Sequence, residues 1–395
     1  MEGLTAAILR AAEGAVPLAL NLAGVMALFL GLLKVAEAAG MVRALARLLA
    51  VPLARLLPEV PAGHPALGAM AMNVAANLLG MGNAATPFGV KAMEELERLN
   101  PHRGVASTPQ VLFLAINTAG LTLLPTKVIA LRASLGAADP AAVTAPTLAA
   151  SLVATVAGIA AARMLAPLAP PPLPLPAAGS GIDRPPAPNS PCPPPRPAAP
   201  WAGWLAAAAA SGMAAALLLG GRSLGAWAVP VMVAGLLAFG WLRRVPVYEV
   251  FVEGAREGFT VAVRIIPYLV AILVAVAMLR ASGALDLLLA PMGRLLAPFG
   301  VPPQALALAA VRTLSGSGAY GMLAGLLRDP ASGPDSPAGI LLGTIYGSTE
   351  TTFYVLAVYF GAVGIRRFRH ALAAGLIADA AGLMAAVVVC RLLYG

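Results

Sequence analysis

Long runs of apolar residues with few or no charges recur along the whole chain, and they restrict its fold more than any other feature. A run of about 20 such residues, coiled as a helix, is as long as the hydrocarbon core of a bilayer is thick. Inside hydrocarbon no water reaches the backbone, so every N–H and C=O must be satisfied by the protein itself, which leaves helices or closed barrels. Runs of this length point to helices. They occur at Ala15 to Leu33, Ala66 to Phe88, Gln110 to Ala133, Ala142 to Leu165, Trp201 to Gly220, Leu224 to Trp241, Val261 to Leu279, Gln304 to Leu327, Ala338 to Val363 and Ala371 to Val389. The expected fold is therefore all-α: a polytopic helical membrane protein with about ten transmembrane segments. Composition agrees, with 59% apolar and 11% charged residues and a mean hydropathy of +0.85, where a soluble domain is roughly a quarter charged.

The net charge of +9 would suit nucleic acid, but the basic residues sit in short clusters at segment ends, such as Arg243-Arg244 and Arg366-Arg367-Phe368-Arg369. Clusters so placed read as anchors in the phospholipid interface, which makes lipid the expected partner and excludes nucleic acid. Cys192 lies in a proline-rich stretch and Cys390 in the last apolar run, so no disulfide framework is expected. His64, His102 and His370 are scattered and next to no cysteine, and neither a metal site nor a cofactor is predicted. The acids Glu2 and Glu13 and the missing small-residue cleavage pattern argue against a cleavable signal peptide. A phosphate loop of the GxxxxGK[ST] type is absent. Ser315-Gly-Ser-Gly318 has no histidine in a matching span to serve as base, so no catalytic residues are assigned.

Ala166 to Pro200 is dominated by Pro, Ala and Ser, a composition that favours extended backbone and builds no core. It is read as a linker over 166–200 between an N-terminal half, 1–165, and a C-terminal half, 201–395. The halves resemble one another. Ala11 to Gly14 has a counterpart in Ala255 to Gly258, Pro52 to Leu57 in Pro291 to Leu296, and Thr108-Pro109 in Ser336-Pro337. In each half an amphipathic segment, Met41 to Leu57 or Ala284 to Ala297, precedes a Gly-rich polar span and is expected to lie in the interface plane. Repeats with interrupted, glycine-bearing segments at matching positions are the signature of secondary transporters with a site at the bilayer midplane. Two intervening spans would make the repeats parallel, and re-entrant segments would invert them.

Polar residues inside the runs supply the candidate site. Asn73, Asn77 and Gly80 share a helical face, and Gly82-Asn83-Ala-Ala-Thr-Pro87 follows with a flexible stretch and a break. Asn117-Thr118-Ala-Gly-Leu-Thr122-Leu-Leu-Pro125 predicts a discontinuous helix, since the proline leaves the Leu121 carbonyl without its helical donor. Lys127 can snorkel to the interface or neutralise an acid. In the second half Arg312, Ser315, Ser317, Ser348, Thr349, Glu350 and Asp379 lie well within apolar runs, with Arg312 expected to pair with Glu350 or Asp379. An ionised group at the centre of a bilayer costs several kcal/mol, about 2.5–3.5 even on the mildest scales, so such residues usually face a cavity or a partner.

These residues also carry a family resemblance. Asn77-Leu-Leu-Gly-Met-Gly-Asn-Ala-Ala-Thr-Pro87, Lys91 to Glu95 and Leu114 to Thr118 resemble the spore maturation protein A family. Phe251 to Gly258, Ser315-Gly-Ser-Gly318, Gly347-Ser-Thr-Glu-Thr-Thr352 and Ala378-Asp379 resemble the spore maturation protein B family. The chain looks like a fusion of the two, and both belong to the nucleoside-recognition, or gate-domain, families. The resemblance implies two gate-domain repeats with broken helices, similar to nucleoside and ferrous-iron transporters, and a part in spore-core dehydration where the host sporulates. The function expected from residues and resemblance together is a multi-pass protein of the cytoplasmic (inner) membrane that moves a small polar solute with a proton or cation. Asn73, Asn77, Asn83, Asn117, Thr118 and Thr122 would face Ser315, Ser317, Ser348, Thr349 and Glu350. The alternative is a non-transporting scaffold whose polar clusters hold helices, or two copies of the chain, together.

Overall fold

A computed structural model describes residues 2–61, 63–168, 221–284, 287 and 301–394. Most of the expected linker, the run at Trp201 to Gly220 and most of the second amphipathic segment lie outside the described residues. Those described are helical, and no strand occurs among them. In the N-terminal series, α1 is Glu2–Ala38, α2 Met41–Leu56, α3 Pro65–Leu78, α4 Gly82–Leu99, α5 Thr108–Ala119, α6 Thr126–Ser134 and α7 Thr144–Leu165. Then follow α8 Gly221–Leu242, α9 Val247–Ala281, α10 Pro303–Leu314, α11 Gly316–Leu326, α12 Pro337–Ser348, α13 Thr352–Val363 and α14 Ala371–Tyr394.

The apolar runs at 66–88, 110–133, 304–327 and 338–363 do not form single spans. Each folds as two helices, α3/α4, α5/α6, α10/α11 and α12/α13. At about 1.5 Å per residue, a 12-residue helix such as α5 or α12 falls well short of a bilayer's thickness. The breaks have local causes. Gly80 and Gly120 take left-handed backbone, φ 79° and 57°, which a residue with a Cβ enters only at a cost. Pro125 precedes α6, where its missing N–H costs no helical bond. In the second series the chain is extended at Ser315 and Thr349, and the Ser315 hydroxyl accepts the Gly318 N–H to start α11. Length and apolar composition alone qualify two described stretches to cross a membrane, Pro140–Leu165 and α14. A third candidate is the pair Ala23–Ala38 and α2, bent by 68°. The bend is made at Gly40, φ 85°, and α2 then buries Val42, Ala46 and Leu53 while exposing Arg43, Arg47 and Arg55, the two-faced pattern of an amphipathic helix.

Contacts between equivalent elements reveal how the repeats are related. On α1 and α9, Gly31 meets Phe251 and Ala27 meets Gly258, so the two helices run antiparallel. Lys34 adds ion pairs to Glu253 (3.6 Å) and Glu257 (3.2 Å). On α7 and α14, Gly158 meets Ala378 and Gly382 meets Ala154, again antiparallel. Elements that match in chain order yet point in opposite directions make the repeat inverted. The series interlock rather than stand side by side. One apolar cluster joins Met70, Met93 and Phe113 to Leu356 and Phe360, and the other joins Ile129 and Leu131 to Leu323 and Ile345.

Loops fasten the arrangement at equivalent places. Between α4 and α5, Gly104 and Ala106 exchange backbone hydrogen bonds with Arg366 and Arg367, at 2.9 and 3.0 Å. Between α11 and α12, the Asp335 carboxylate accepts the Ala138 N–H (2.8 Å) and lies 3.6 Å from the buried Arg132 guanidinium.

Candidate functional site

Four helix breaks meet at one place, and their loose backbone groups explain the charges found there. The C-terminal ends of α5 and α12 touch tip to tip, the Glu350 N–H donating to the Thr118 carbonyl at 2.8 Å. This approach needs Gly120, since a Cβ there would lie 2.9 Å from the Glu350 nitrogen. The last carbonyls of a helix have no intrahelical donor. Arg312, buried in the last turn of α10, supplies donors to that end of α12. Its Nε donates to the Tyr346 carbonyl (3.1 Å), one terminal nitrogen to Thr351 Oγ1 (2.8 Å) and the other to the Thr349 carbonyl. The second of these nitrogens also lies 3.3 Å from Glu350 Oε2, and the guanidinium carbon stands 4.6 Å from the centre of the Tyr346 ring. Arg312 therefore pairs with Glu350 rather than Asp379.

Glu350 has its carboxylate close to Gly82, where α4 begins, and it directly precedes the start of α13. Helix N-termini present unpaired N–H groups and a partial positive charge, which suits an anion. The side chain stays 37% exposed because it faces a cavity of about 50 Å³. Asn77, Thr122, Lys127, Arg312, Tyr346 and Glu350 line it, with the backbone of Gly80, Gly82 and Gly120. That space takes a few waters and is far below the roughly 300–1,000 Å³ of ordinary small-molecule sites. A larger cavity of about 360 Å³ lies apart, between the end of α4 and the start of α5, beside His102 and Arg369.

The remaining candidates fall into three groups. Asn73 and Asn117 are buried off the cavity in a hydrogen-bonded network, where Asn73 Nδ2 donates to the Ala85 carbonyl (2.9 Å) and the Tyr359 hydroxyl (3.0 Å), while Asn73 Oδ1 has no partner among the described residues. Tyr359 in turn donates to Asn117 Oδ1 (3.3 Å), which also accepts from Asn77 Nδ2 (3.1 Å). Ser315, Ser317, Ser348 and Thr349 do not line the cavity; Ser315 caps α11 and the Ser348 hydroxyl bonds back to the Ile345 carbonyl. Thr118 and Asp379 lie behind Glu350, where Asp379 Oδ2 accepts the Thr352 hydroxyl at 2.6 Å. Asn83 is in the first turn of α4, and its side chain lies outside the described residues.

Tyr359 is the member of this network that sequence reasoning missed. Its signal was faint, since a tyrosine in an apolar helix is ordinarily packing, and nothing local marks its hydroxyl as a bridge between asparagines of the other series. Tyr359→Phe is expected to lower stability by about 1–2 kcal/mol, the cost of losing a buried hydroxyl whose partners keep other bonds. Thermal unfolding of the purified protein measures it.

The described residues form apolar, interrupted helices around an ion pair, and residues 262–366 match the Gate family, described as nucleoside recognition; together these point to a membrane protein of a nucleoside-recognition family. The chain is 45% identical over 167 residues to Spore maturation protein B of Bacillus subtilis (strain 168), covering 42% of this chain and 93% of that protein. It is 37% identical over 148 residues to Spore maturation protein A of the same organism, covering 38% of this chain and 76% of the relative. The two matches cover different parts, and the chain belongs to the spore maturation protein A and B families, fused in one polypeptide. No solved structure matches it.

Proposed function

We propose that this chain is a transporter-like protein of the inner membrane that moves a small polar solute through the place where the helix breaks meet, with Glu350 coupling the movement to a proton or cation. The observation that carries this reading is the Arg312–Glu350 pair at a small water-sized cavity walled by both repeats. The pair sits among the ends of the broken helices, and its carboxylate keeps one side open to the cavity. At about 50 Å³ the cavity represents a closed state for any solute as large as a nucleoside, so passage requires the breaks to separate. The names of the relatives extend the reading to spore maturation in a host that forms spores.

The test is uptake into proteoliposomes, scanned over nucleosides and amino acids with imposed proton or sodium gradients. Gradient-driven uptake by the native chain is expected to fall at least tenfold in Glu350→Gln, about 1.4 kcal/mol of lost coupling. Unchanged, gradient-independent uptake in the variant would remove Glu350 from the coupling role. The buried hydrogen bonds of Asn73 and Asn117 to Tyr359, which tie the two series together, favour a second reading, a scaffold that transports nothing. In that case no solute enters at all, and Glu350→Gln changes only stability.

A further inference from the structure

Near the Arg312–Glu350 pair, a second carboxylate makes no direct ion pair among the described residues. Asp379 is in the interior of α14, one helical turn beyond Gly375. Its Oδ2 accepts from Thr352 (2.6 Å) and lies 3.3 Å from Thr313 Oγ1, whose single proton is shared with the Ala309 carbonyl (3.1 Å). Its Oδ1 is shielded from solvent and finds no hydrogen-bond partner among the described residues. The hydroxyl of the fully buried Thr118 is unpartnered in the same sense. Both belong to helices that pack together, α5 and α14. A Cβ on Gly375 would stand 2.9 Å from the Thr352 methyl, 3.3 Å from the Thr118 methyl and 3.6 Å from Thr118 Oγ1, which sets Thr118 and Thr352 against the face of α14 that also carries Asp379, one turn on.

One nearby charge, Arg312, favours ionised Asp379 through space but makes no bond to it. From α10, Arg312 commits its guanidinium to Glu350, Thr351 and two carbonyls. α5, α12 and α13 bring no charged residue, α7 brings only Arg163 in its last turn, and on α14 itself the next charge is Arg391, about three turns away. A carboxylate withdrawn from water without a partner is strongly disfavoured, and so is a buried hydroxyl with nothing to bond. Hard oxygen donors at the break between helices are what a small monovalent cation takes in exchange for its water.

We propose that Asp379, with the hydroxyls of Thr118 and Thr352, forms a monocation site in the interior of the protein, separate from the Arg312–Glu350 pair. The ligand chemistry is a single positive charge small enough to enter a packed interior, either a dehydrated alkali ion of sodium size or a proton. The site stands whether or not the protein transports a solute, because binding is read without transport. Its place is suggestive all the same: the Thr118 carbonyl holds the Glu350 N–H, so a cation on the Thr118 hydroxyl bears directly on the contact between the two helix tips.

The experiment is thermal unfolding of the full purified chain in detergent, with sodium, lithium or potassium chloride exchanged against N-methylglucamine chloride at constant ionic strength, repeated across pH. A ligand bound by the folded state alone raises Tm with the logarithm of its concentration once that exceeds the dissociation constant. Wild type is expected to show a rise in Tm with one alkali ion that grows logarithmically with its concentration, which Asp379→Asn abolishes and Thr118→Val shifts to roughly tenfold higher concentration. Asp379→Asn should itself melt at or above the ion-free wild type, since an amide fills the position without a charge, and this separates loss of binding from loss of folding. A rise in Tm on acidification, indifferent to alkali ions and absent in Asp379→Asn, identifies the monocation as a proton. Ion and pH responses that are absent from wild type, or that persist in Asp379→Asn, would overturn the site.

Discussion

Arg312→Met should be among the most damaging single substitutions in this protein, with an expected loss of about 3–5 kcal/mol. Three effects combine. Glu350 loses its cation, the Tyr346 and Thr349 carbonyls lose their donors at the frayed end of α12, and the Tyr346 ring loses the guanidinium above it. Methionine replaces the aliphatic bulk, so the change isolates the polar head. Adding Glu350→Gln should restore part of the loss, since the stranded carboxylate goes too, while the carbonyls remain unserved. Melting temperatures of the wild type, both single variants and the double variant close a thermodynamic cycle. A coupling between the two positions of about 1–3 kcal/mol is expected; additive effects would mean that the pair contributes nothing beyond its separate contacts.

Gly120→Ala is the second large effect, and it acts through backbone alone. The residue has φ +57°, where alanine costs roughly 1–2 kcal/mol by itself. The new methyl would also stand 2.9 Å from the Glu350 nitrogen and 3.2 Å from the Thr349 carbonyl carbon. Both are main-chain atoms that cannot swing aside, so the tips of α5 and α12 must part and the Glu350 to Thr118 bond must lengthen. We expect a total of about 2–4 kcal/mol. Gly136→Ala is the matched control, with φ +76° and open space around it, and should show only the conformational part. Equal melting shifts for the two variants would show that the tips do not depend on their close approach.

Much of this arrangement could be read before any coordinates. The apolar runs and their low charge specify a helical membrane protein, and Pro125 with Gly120 marks a discontinuous helix that the structure shows between α5 and α6. The direction of the repeats could not be read, because apolar content is the same for a helix that crosses and one that turns back. Only the antiparallel contacts of Gly31 with Phe251 and Gly158 with Ala378 decide it. Within the site, the pairing of Arg312 was open between Glu350 and Asp379, since both lie at plausible depths and the choice depends on where three separate helices end. The asparagines divide for a similar reason. Asn77 faces the cavity and Asn73, one turn earlier, faces Tyr359, although both occupy one side of α3. A helical face is wide enough to span two environments, and the boundary between them is drawn by neighbours distant in the chain.

The tip-to-tip contact joins residues on opposite sides of the stretch from 169 to 220, and so do the walls of the cavity. Neither series could enclose this space by itself. Because the two series belong to one polypeptide, each meets the other without depending on the concentration of a separate partner. Surfaces such as the Lys34 contacts with Glu253 and Glu257 therefore need only modest intrinsic affinity to stay engaged. They can separate and rejoin without the partner being lost to dilution, and every assembled site contains one copy of each series.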